Sequence, residues 1–341
     1  MTGDAVSEQS RAAPTLEMVA TLAGVSRATA SRAINGATTV DPDLVAAVNK
    51  AVNALNYVPN RAARSLVTKR AQAVTLVVPE STTKVFADPF FGSVVEGMSQ
   101  YLSGVEYTLN MVISSETNPA QTRRYLMGSN VDGVLVVSHH MGDLSWTTLD
   151  SSLPIVFAGR PLIGEKTRHY IEVDNEQGAA RGTQHLVSRG RRNIATIAGP
   201  QDMPPGIDRL RGWRRALKEA GLPDNAVEIG DFTIASGAET MRRLLDRNQP
   251  IDGLFAANDQ MAAGAYSVLQ ARGLRIPEDI AVVGFDDGEI ASALVPALTT
   301  VHHPIVQMGQ RMAEMLVGLI EGKPTDRVVR LTSSLVIRDS A

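Results

Sequence analysis

The chain has 341 residues, 44% of them hydrophobic and 20% charged, which is ordinary for a globular protein and long enough for two or three folding units. It contains no cysteine, which excludes disulfides and thiolate metal sites. No stretch approaches the roughly 20 apolar residues that span a bilayer, and residues 1–13 lack the apolar run of a signal peptide. We therefore expect a soluble, cytoplasmic protein.

The net charge of −3 is divided unevenly along the chain. Residues 1–71 contain eight basic and five acidic side chains, a net +3, so the other 270 residues carry −6. The asymmetry predicts that the N-terminal end is the part that approaches a polyanion. A charge difference of this size also occurs in proteins that bind no polyanion, so sequence motifs are needed to support this prediction.

The N-terminal segment has the pattern of three short helices. Thr15 is placed to cap a first helix with apolar residues at helical spacing, which Gly24 would end. Ser26 would cap a second helix, and Asp41-Pro42 would start a third that ends near residue 56. Helix, short turn and helix, followed by a supporting helix, is typical of a helix-turn-helix.

From residue 72 onward, apolar strand-like runs alternate with helical stretches. We predict strands at 73–78, 107–113, 133–137, 155–158, 170–173, 194–198, 254–257, 280–285, 298–302 and 328–337. We predict helices at 90–102, 116–128, 176–189, 208–220, 236–246, 260–272 and 305–321. The alternation indicates parallel, doubly wound sheets, and their number favours two similar subdomains with a cleft between them.

Two separated motifs, TLEMVATLAGVSRATASRAING (15–36) and LNYVPNRAARSL (55–66), resemble the lactose/galactose repressor (LacI/GalR) family. DPFFGSVVEGM (88–98), FAANDQMAAGA (255–265) and VVGFDDGE (282–289) extend the resemblance along the chain. Met18 and Ala30 depart from the usual family pattern, at positions where an acidic residue and valine are common, and both substitutions are compatible with a helix.

The resemblance implies an all-α helix-turn-helix headpiece followed by an α/β core of two doubly wound parallel-sheet subdomains, like a periplasmic binding protein. We expect a disordered tail at 1–13, the headpiece at 14–58, a hinge helix and linker at 59–71, and the core at 72–341. Within the core, the N-subdomain should comprise about 72–173 and 303–322, and the C-subdomain about 174–302 and 323–341.

The resemblance also implies which headpiece residues contact DNA. The second helix would enter the major groove, where Arg27 can donate two hydrogen bonds to guanine and Ala28 offers only a methyl group. The implied contacts are Thr15, Leu16, Ser26, Arg27, Ala28, Thr29, Ser31, Arg32 and Asn35. The alternative is that these are solvated polar residues on a small helix.

The segment 60–66 is the implied hinge helix, which orders on operator DNA in this family. Its implied contacts are Asn60, Arg61, Ala63, Arg64 and Leu66. Leu66 would insert into the minor groove and bend the duplex; the alternative is an ordinary core or linker residue.

The resemblance places a small effector, a mono- or disaccharide, between the two subdomains. The implied effector-binding residues are Phe86, Asp88, Arg160, Arg209, Phe232, Asn258 and Asp286. Arg and Asp suit sugar hydroxyls, and aromatic rings suit sugar C–H faces. Taken singly, each could instead be a structural ion pair, a helix cap or a core aromatic.

The implied protein is a sequence-specific transcriptional regulator, a repressor in most relatives, that binds a palindromic operator as a homodimer. No tetramerising heptad is present at the C-terminus. Whether the effector induces or co-represses is left open, and a minority of relatives respond to purines.

Other sites are not expected. The pairs His139-His140 and His302-His303 sit on strand-like segments, where neighbours point to opposite faces, so we interpret them as plain polar side chains and expect no metal or cofactor. Trp213 should pack in the core. Two other hypotheses remain, a solute-binding protein of a transporter and a sugar-modifying enzyme, although no acid–base pair of carboxylates stands out.

Overall fold

The computed structural model describes residues 14–58, 70–114, 119–128, 130–142, 153–161 and 163–341. The chain divides into two units, with the boundary between Ala71 and Gln72. The predicted tail at 1–13 and the predicted hinge helix at 60–66 lie outside the described residues.

The three predicted headpiece helices are confirmed as α1 (Leu16–Ala23), α2 (Arg27–Ile34) and α3 (Pro42–Leu55). The hydroxyl of Thr15 accepts the amide of Met18 at 3.3 Å, and that of Ser26 accepts the amide of Thr29 at 3.1 Å. Gly24 ends α1 with a φ of 66°. Helices of eight residues are marginal alone, so a shared core must stabilise them. That core contains Val19, Ala20, Ala30, Ala33, Val48 and Ala51.

The second unit contains two six-stranded sheets. The first has the order β11-β5-β4-β3-β1-β2 and is entirely parallel. The second has the order β12-β10-β9-β8-β6-β7, and only β12 runs antiparallel to its neighbour. The strands are β1 (Ala73–Val78), β2 (Thr108–Ile113), β3 (Gly133–Val136), β4 (Ile155–Ala158), β5 (His169–Val173), β6 (Ile194–Ala198), β7 (Val227–Ile229), β8 (Gly253–Ala256), β9 (Ala281–Asp286), β10 (Thr299–His302), β11 (Val328–Leu331) and β12 (Ser334–Val336).

Helices cover both sheets and define two lobes. The first lobe is the first sheet with α4 (Thr82–Ala87), α5 (Pro89–Ser103), α6 (Pro119–Met127) and α12 (Ile305–Ile320). The second lobe is the second sheet with α7 (Asn175–Ser188), α8 (Pro204–Glu219), α9 (Ile234–Asp246), α10 (Asp259–Ala271) and α11 (Glu289–Ala293). The predicted class, two doubly wound parallel-sheet subdomains, is confirmed.

Helix α12 lies close against α5, which places residues 305–320 in the first lobe as predicted. A Cβ on Gly97 would come within 1.9 Å of the carbonyl oxygen of Val306, and one on Gly309 within 2.2 Å of that of Val94. Only glycine permits this approach of the two helix backbones.

The prediction of one final strand at 328–337 is wrong, because the segment divides into β11 and β12 in different sheets. β11 pairs with β5, so residues 328–331 belong to the first lobe and not to the C-subdomain as expected. The polar run Thr332-Ser333-Ser334 separates two apolar stretches and was the available sign of a break, but it does not show which sheet each strand joins.

Helix α8 begins four residues earlier than predicted, and three short elements were missed. Helix α8 starts at Pro204 rather than residue 208, because two prolines are acceptable in the first turn, where their missing N–H groups have no helical partner. The missed elements are α4, β7 and α11, which are too short to show a helical or strand period. Trp213 is fully buried in the second lobe, as predicted.

Candidate functional site

Helix α2 and its two caps carry most of the residues predicted to contact DNA. Arg27, Ala28, Arg32 and Asn35 are exposed. Of the other predicted DNA-contacting residues, Thr15 and Ser26 are exposed helix caps, Thr29 and Ser31 are half-buried, and Leu16 packs against the headpiece core.

The guanidinium of Arg27 has an acidic partner that the sequence patterns did not reveal. Its Nε lies 2.8 Å from Oε1 of Glu17, in the first turn of α1, and both side chains are largely exposed. By contrast, Nε of Arg32 donates to the carbonyl of Ala28 in its own helix at 3.4 Å. The predicted hinge contacts, Asn60, Arg61, Ala63, Arg64 and Leu66, lie outside the described residues.

In the second unit, a cleft that is partly open to solvent lies between the two lobes. It is lined at the carboxyl ends of the strands, where ligand sites of open α/β sheets occur. Five of the seven predicted effector-binding residues line it together: Asp88, Arg209, Phe232, Asn258 and Asp286.

Arg209 is the central cation of the cleft and is only 4% exposed. Its Nε donates to Oδ1 of Asn175 at 2.9 Å, its Nη1 donates to the carbonyl of Ala257 at 2.6 Å, and its Nη2 lies 3.2 Å from Oδ1 of Asp286. The guanidinium also stacks on Phe285, 3.7 Å from the ring centre. Burial lowers the pKa of Arg209, while the charge of Asp286 opposes that shift. Arg209 is thus held rigidly, with one edge toward the cleft.

Asp286 stands at the end of β9 on a strained turn. Asp286 and Asp287 have φ values of 107° and 57°, which non-glycine residues rarely adopt. The turn is held because the amide of Gly288 donates to Asp259 at 2.9 Å and Arg338 pairs with Asp287 at 2.6 Å. Burial, with the charge of Asp286 nearby, raises the pKa of Asp259 to about 8. The carboxylate of Asp286 is therefore placed by its neighbours before any ligand arrives.

Asn258 and Phe232 act as a pair. Oδ1 of Asn258 accepts the amide of Met261 and caps α10, while Nδ2 donates to the carbonyl of Phe232 at 2.9 Å. That bond supports Phe232 at its φ of 73°. The ring of Phe232 packs where a Cβ on Gly199 would come within 2.3 Å of it, so Gly199 makes room for the ring. Asn258 positions the aromatic surface, and most of its own hydrogen-bonding capacity is used in doing so.

Asp88 faces this arrangement from the first lobe. It accepts the amide of Phe90 at 3.0 Å and so caps α5. Burial, with the charge of Asp286 adding to it, raises the pKa of Asp88 to about 6. The cleft therefore brings two carboxylates from opposite lobes close enough to affect each other's charge.

Phe86 and Arg160 do not line the cleft in the described structure. Residues 82–87 form a helix, so positions 86 and 88 point to different sides, and Phe86 is 78% exposed. Arg160 follows β4 and pairs with Asp208 of the second lobe through two contacts of 3.0 and 3.1 Å. Neither residue therefore lines the cleft as expected. The spacing of residues in the sequence did not reveal that 82–87 forms a helix or that Arg160 pairs with Asp208.

Several cleft residues were missed by the sequence patterns, and they are Lys84, Ser138, His139, Glu172, Asn175 and His303. The interpretation of the histidine pairs as plain polar residues is wrong for His139 and His303, which are buried against the cleft. Burial lowers the pKa of His139 to about 4 and also lowers that of His303, so both rings are neutral at pH 7. Strand alternation does not explain this burial, because His139 and His140 follow the end of β3 and His303 follows the end of β10.

His140, the neighbour of His139, joins the lobes. Its Nδ1 lies 2.8 Å from Oδ2 of Asp202 in the second lobe, and its Nε2 lies 3.2 Å from Oε1 of Glu80 in the first. Glu80 also accepts from Lys84 and Ser138. Hydrogen bonds to Glu80 and Asp202 raise the pKa of His140 to about 9. His140 and the Arg160–Asp208 pair are therefore two direct ionic links across the cleft.

Across the described ranges, no helix has both the length and the apolar character needed to cross a membrane. No group of three or more His, Asp or Glu side chains in these ranges is arranged to hold a metal ion.

Two family models match the chain. Residues 15–60 match the model for bacterial regulatory proteins of the lacI family, and residues 183–341 match a periplasmic binding protein-like domain. The two matches fall in the headpiece and in the α/β unit respectively.

Curated relatives match over nearly the whole chain. The HTH-type transcriptional regulator CelR of Thermobifida fusca is 46% identical over 338 residues, 97% of this chain and 99% of the relative. The ribose operon repressor of Escherichia coli K12 is 34% identical over 336 residues, 96% of this chain and 99% of the relative.

Solved structures agree with these matches. A complex of CelR with cellobiose superposes with a TM-score of 0.77 at 43% identity, covering 96% of this chain and all of the other. The lac repressor dimer bound to operator and the anti-inducer ONPF gives a TM-score of 0.86 at 27% identity, with 96% and 99% coverage. The chain has a helix-turn-helix headpiece, a cleft between two doubly wound lobes, and relatives that match over nearly its whole length. It therefore belongs to the LacI family of bacterial transcriptional regulators.

Proposed function

We propose that this protein is a transcriptional repressor whose affinity for a palindromic operator changes when a neutral disaccharide of the cellobiose type binds in the cleft. The observation that carries the proposal is the fixed Arg209–Asp286 pair beside the ring of Phe232. A cation and a carboxylate held side by side suit a pair of neighbouring sugar hydroxyls, and an aromatic ring suits the C–H face.

The charge of the cleft favours a neutral ligand. Among the described lining residues, Asp88, Glu172 and Asp286 are acidic, whereas Lys84 and Arg209 are basic. Both cations already have acidic partners, Glu80 and Asp286. A sugar phosphate would bring its charge toward carboxylates without gaining a free cation, so we expect it to bind weakly.

The relatives support a disaccharide. The CelR that has been solved with cellobiose is 43% identical to this chain, whereas the purine repressors among the relatives are 32–34% identical. A purine is therefore the less favoured effector.

For the headpiece, the proposal is that Arg27 reads a base of each operator half-site from the major groove. Ser26, Thr29, Ser31, Arg32 and Asn35 add base and phosphate contacts, and Leu66 of the hinge is the proposed minor-groove wedge. One headpiece makes few contacts, so two of them on a palindrome, in a homodimer, supply the affinity. Such a regulator works in the cytoplasm, where the operator DNA is.

We further propose that the protein is not an enzyme. Glycoside hydrolysis requires one carboxyl group to donate a proton and another to attack or activate water. Asp88 and Asp286 face the cleft, but Asp88 caps α5 and Asp286 is paired with Arg209 and His303. Release of glucose from cellobiose by the purified protein would contradict this part of the proposal.

The test measures effector and operator binding on the full chain. Calorimetry should detect cellobiose, with ribose and hypoxanthine as comparison ligands and cellobiose 6-phosphate as the charged analogue. The affinity for a selected operator, followed by fluorescence anisotropy, should change by about 5-fold or more when cellobiose is added, as is usual for allosteric coupling. Failure of cellobiose to bind, or binding with no change in operator affinity, would refute the proposal.

A further inference from the structure

Glu17 of α1 contacts Arg27 in the first turn of α2, which we call the reading turn. The predicted DNA contacts do not include Glu17. Glu17 is the second residue of α1, and Arg27 is the first residue of α2. Oε1 of Glu17 lies 2.8 Å from Nε of Arg27, while 71% of the arginine side chain and 58% of the glutamate side chain stay exposed. The pair therefore sits on the surface of the reading turn and not inside the headpiece core.

The position of the carboxylate decides which donors of Arg27 remain available. A guanidinium has five N–H donors, and the fork that recognises O6 and N7 of guanine is formed by two parallel N–H groups. Glu17 approaches Nε, so the Nη1 and Nη2 end is left for a base. The carboxylate also restrains a long side chain that would otherwise lose its rotamer freedom on binding.

We propose that Glu17 is a positioning residue for operator recognition, which holds the guanidinium of Arg27 so that its terminal fork faces guanine. The inference rests on the proposed role of Arg27 in the major groove. Glu17 also places a negative charge close to the DNA, which disfavours phosphate contacts at non-operator sites. Both effects act on specificity: the preference for the correct base rises and non-specific binding falls.

If Glu17 served only to stabilise the fold, its replacement would lower the melting temperature and would not change the base preference. Exposed ion pairs contribute little to folding, so Glu17→Gln should not change the melting temperature noticeably. Because the preference for one base over another is a ratio measured on the same sample, any unfolded fraction cancels. The readout is therefore the base preference at single operator positions and not the overall affinity.

The experiment compares the wild type with Glu17→Gln, Arg27→Ala and the double variant on an operator selected from random DNA. Arg27→Ala identifies the base pair that Arg27 reads. At that base pair, Glu17→Gln should reduce the preference for guanine about three- to tenfold, the effect of losing the restraint on one long side chain. In the Arg27→Ala background, Glu17→Gln should have no effect on that preference.

Asp43→Asn is the matched control, because it removes the same charge from α3 at a carboxylate that is not the partner of Arg27. It should leave the base preference unchanged. An unchanged preference in Glu17→Gln, an equal loss at all positions, or the same loss in the Arg27→Ala background would overturn the proposal. A wild type without any base preference would instead overturn the proposed operator binding itself.

Discussion

Arg209 carries its charge in a position nearly free of solvent, where fixed acceptors replace water. Three of its nitrogens are matched by Asn175, Ala257 and Asp286. Phe285 covers one face of the guanidinium. Such a site depends on the planar, forked shape of arginine as much as on its charge. A lysine would place its charge at one point and leave acceptors without a donor.

The first prediction concerns Arg209→Lys. We expect effector binding to become undetectable and the core to lose about 1–3 kcal/mol for each buried acceptor left without a partner. Calorimetry with cellobiose and urea unfolding would measure the two effects. Arg214→Lys, an exposed arginine of the same helix, is the control and should change neither. Unaltered cellobiose affinity in Arg209→Lys would contradict the placement of the effector beside this residue.

At the scale of elements, the cleft is formed by the segments that follow the carboxyl ends of the strands. Some of these segments contact the opposite lobe. The segment after β3 brings His140 to Asp202 of the second lobe, and Glu80 after β1 is the second partner of His140. The segment after β4 brings Arg160 to Asp208 of α8. These contacts involve no ligand, so they stabilise the state in which the lobes touch. If the effector binds only to this state, its apparent affinity rises with the fraction of molecules in which the lobes touch.

The second prediction follows from these links. Combining Asp202→Asn with Arg160→Gln should raise the dissociation constant of the effector about three- to tenfold, because partly buried pairs of this kind contribute on the order of 1 kcal/mol. Titration calorimetry would measure it. Arg272→Gln, which breaks an ion pair with Asp246 inside the second lobe, should leave the constant unchanged. Unaltered affinity in the double variant would show that the links do not hold the binding state.

The third prediction concerns the hinge element, which the sequence alone assigns. Leu66→Ala should reduce DNA bending and weaken specific operator binding, because the side chain that would unstack a central base step is lost. Effector binding should stay intact. Gel mobility of permuted operator fragments would report the bend, and calorimetry the effector. A collapse of effector affinity would mean that Leu66 belongs to the core and not to the hinge.

At the scale of the whole molecule, the links across the cleft make the core sensitive to pH. The pKa of His140 is raised from 6.5 to about 9 by Glu80 and Asp202, with Lys84 and His139 as the further titratable groups around it. A group whose pKa is raised on folding stabilises the folded state fully below its unfolded pKa. That contribution is then lost as the pH rises through the folded value.

The fourth prediction is that the core is less stable at pH 10 than at pH 6.5, and that part of this loss belongs to His140. Asp259, with its pKa of about 8, also titrates in this range. The comparison with His140→Gln isolates the histidine: its melting temperature should fall less between the two pH values. Equal falls in both proteins would rule out a stabilising charge on His140.

The sequence determined the headpiece and the class of the core. Caps at Thr15, Ser26 and Asp41 and the glycine after α1 define helices by local chemistry, which is why α1 and α2 match their predicted bounds. Buried parallel strands show as apolar runs, so the two lobes were also predictable. Five of the seven residues that the family motifs predicted to bind an effector line the cleft.

Only the tertiary structure decided which strand joins which sheet and which polar groups meet. Alternation has the same period in both sheets, so the sequence pattern does not show that β11 and β12 join different sheets. The partners Glu17–Arg27, Arg160–Asp208 and His140–Asp202 are set by how helices and loops pack. Hydrophobic period and capping act within about four residues along the chain, whereas these contacts join residues that only folding brings together.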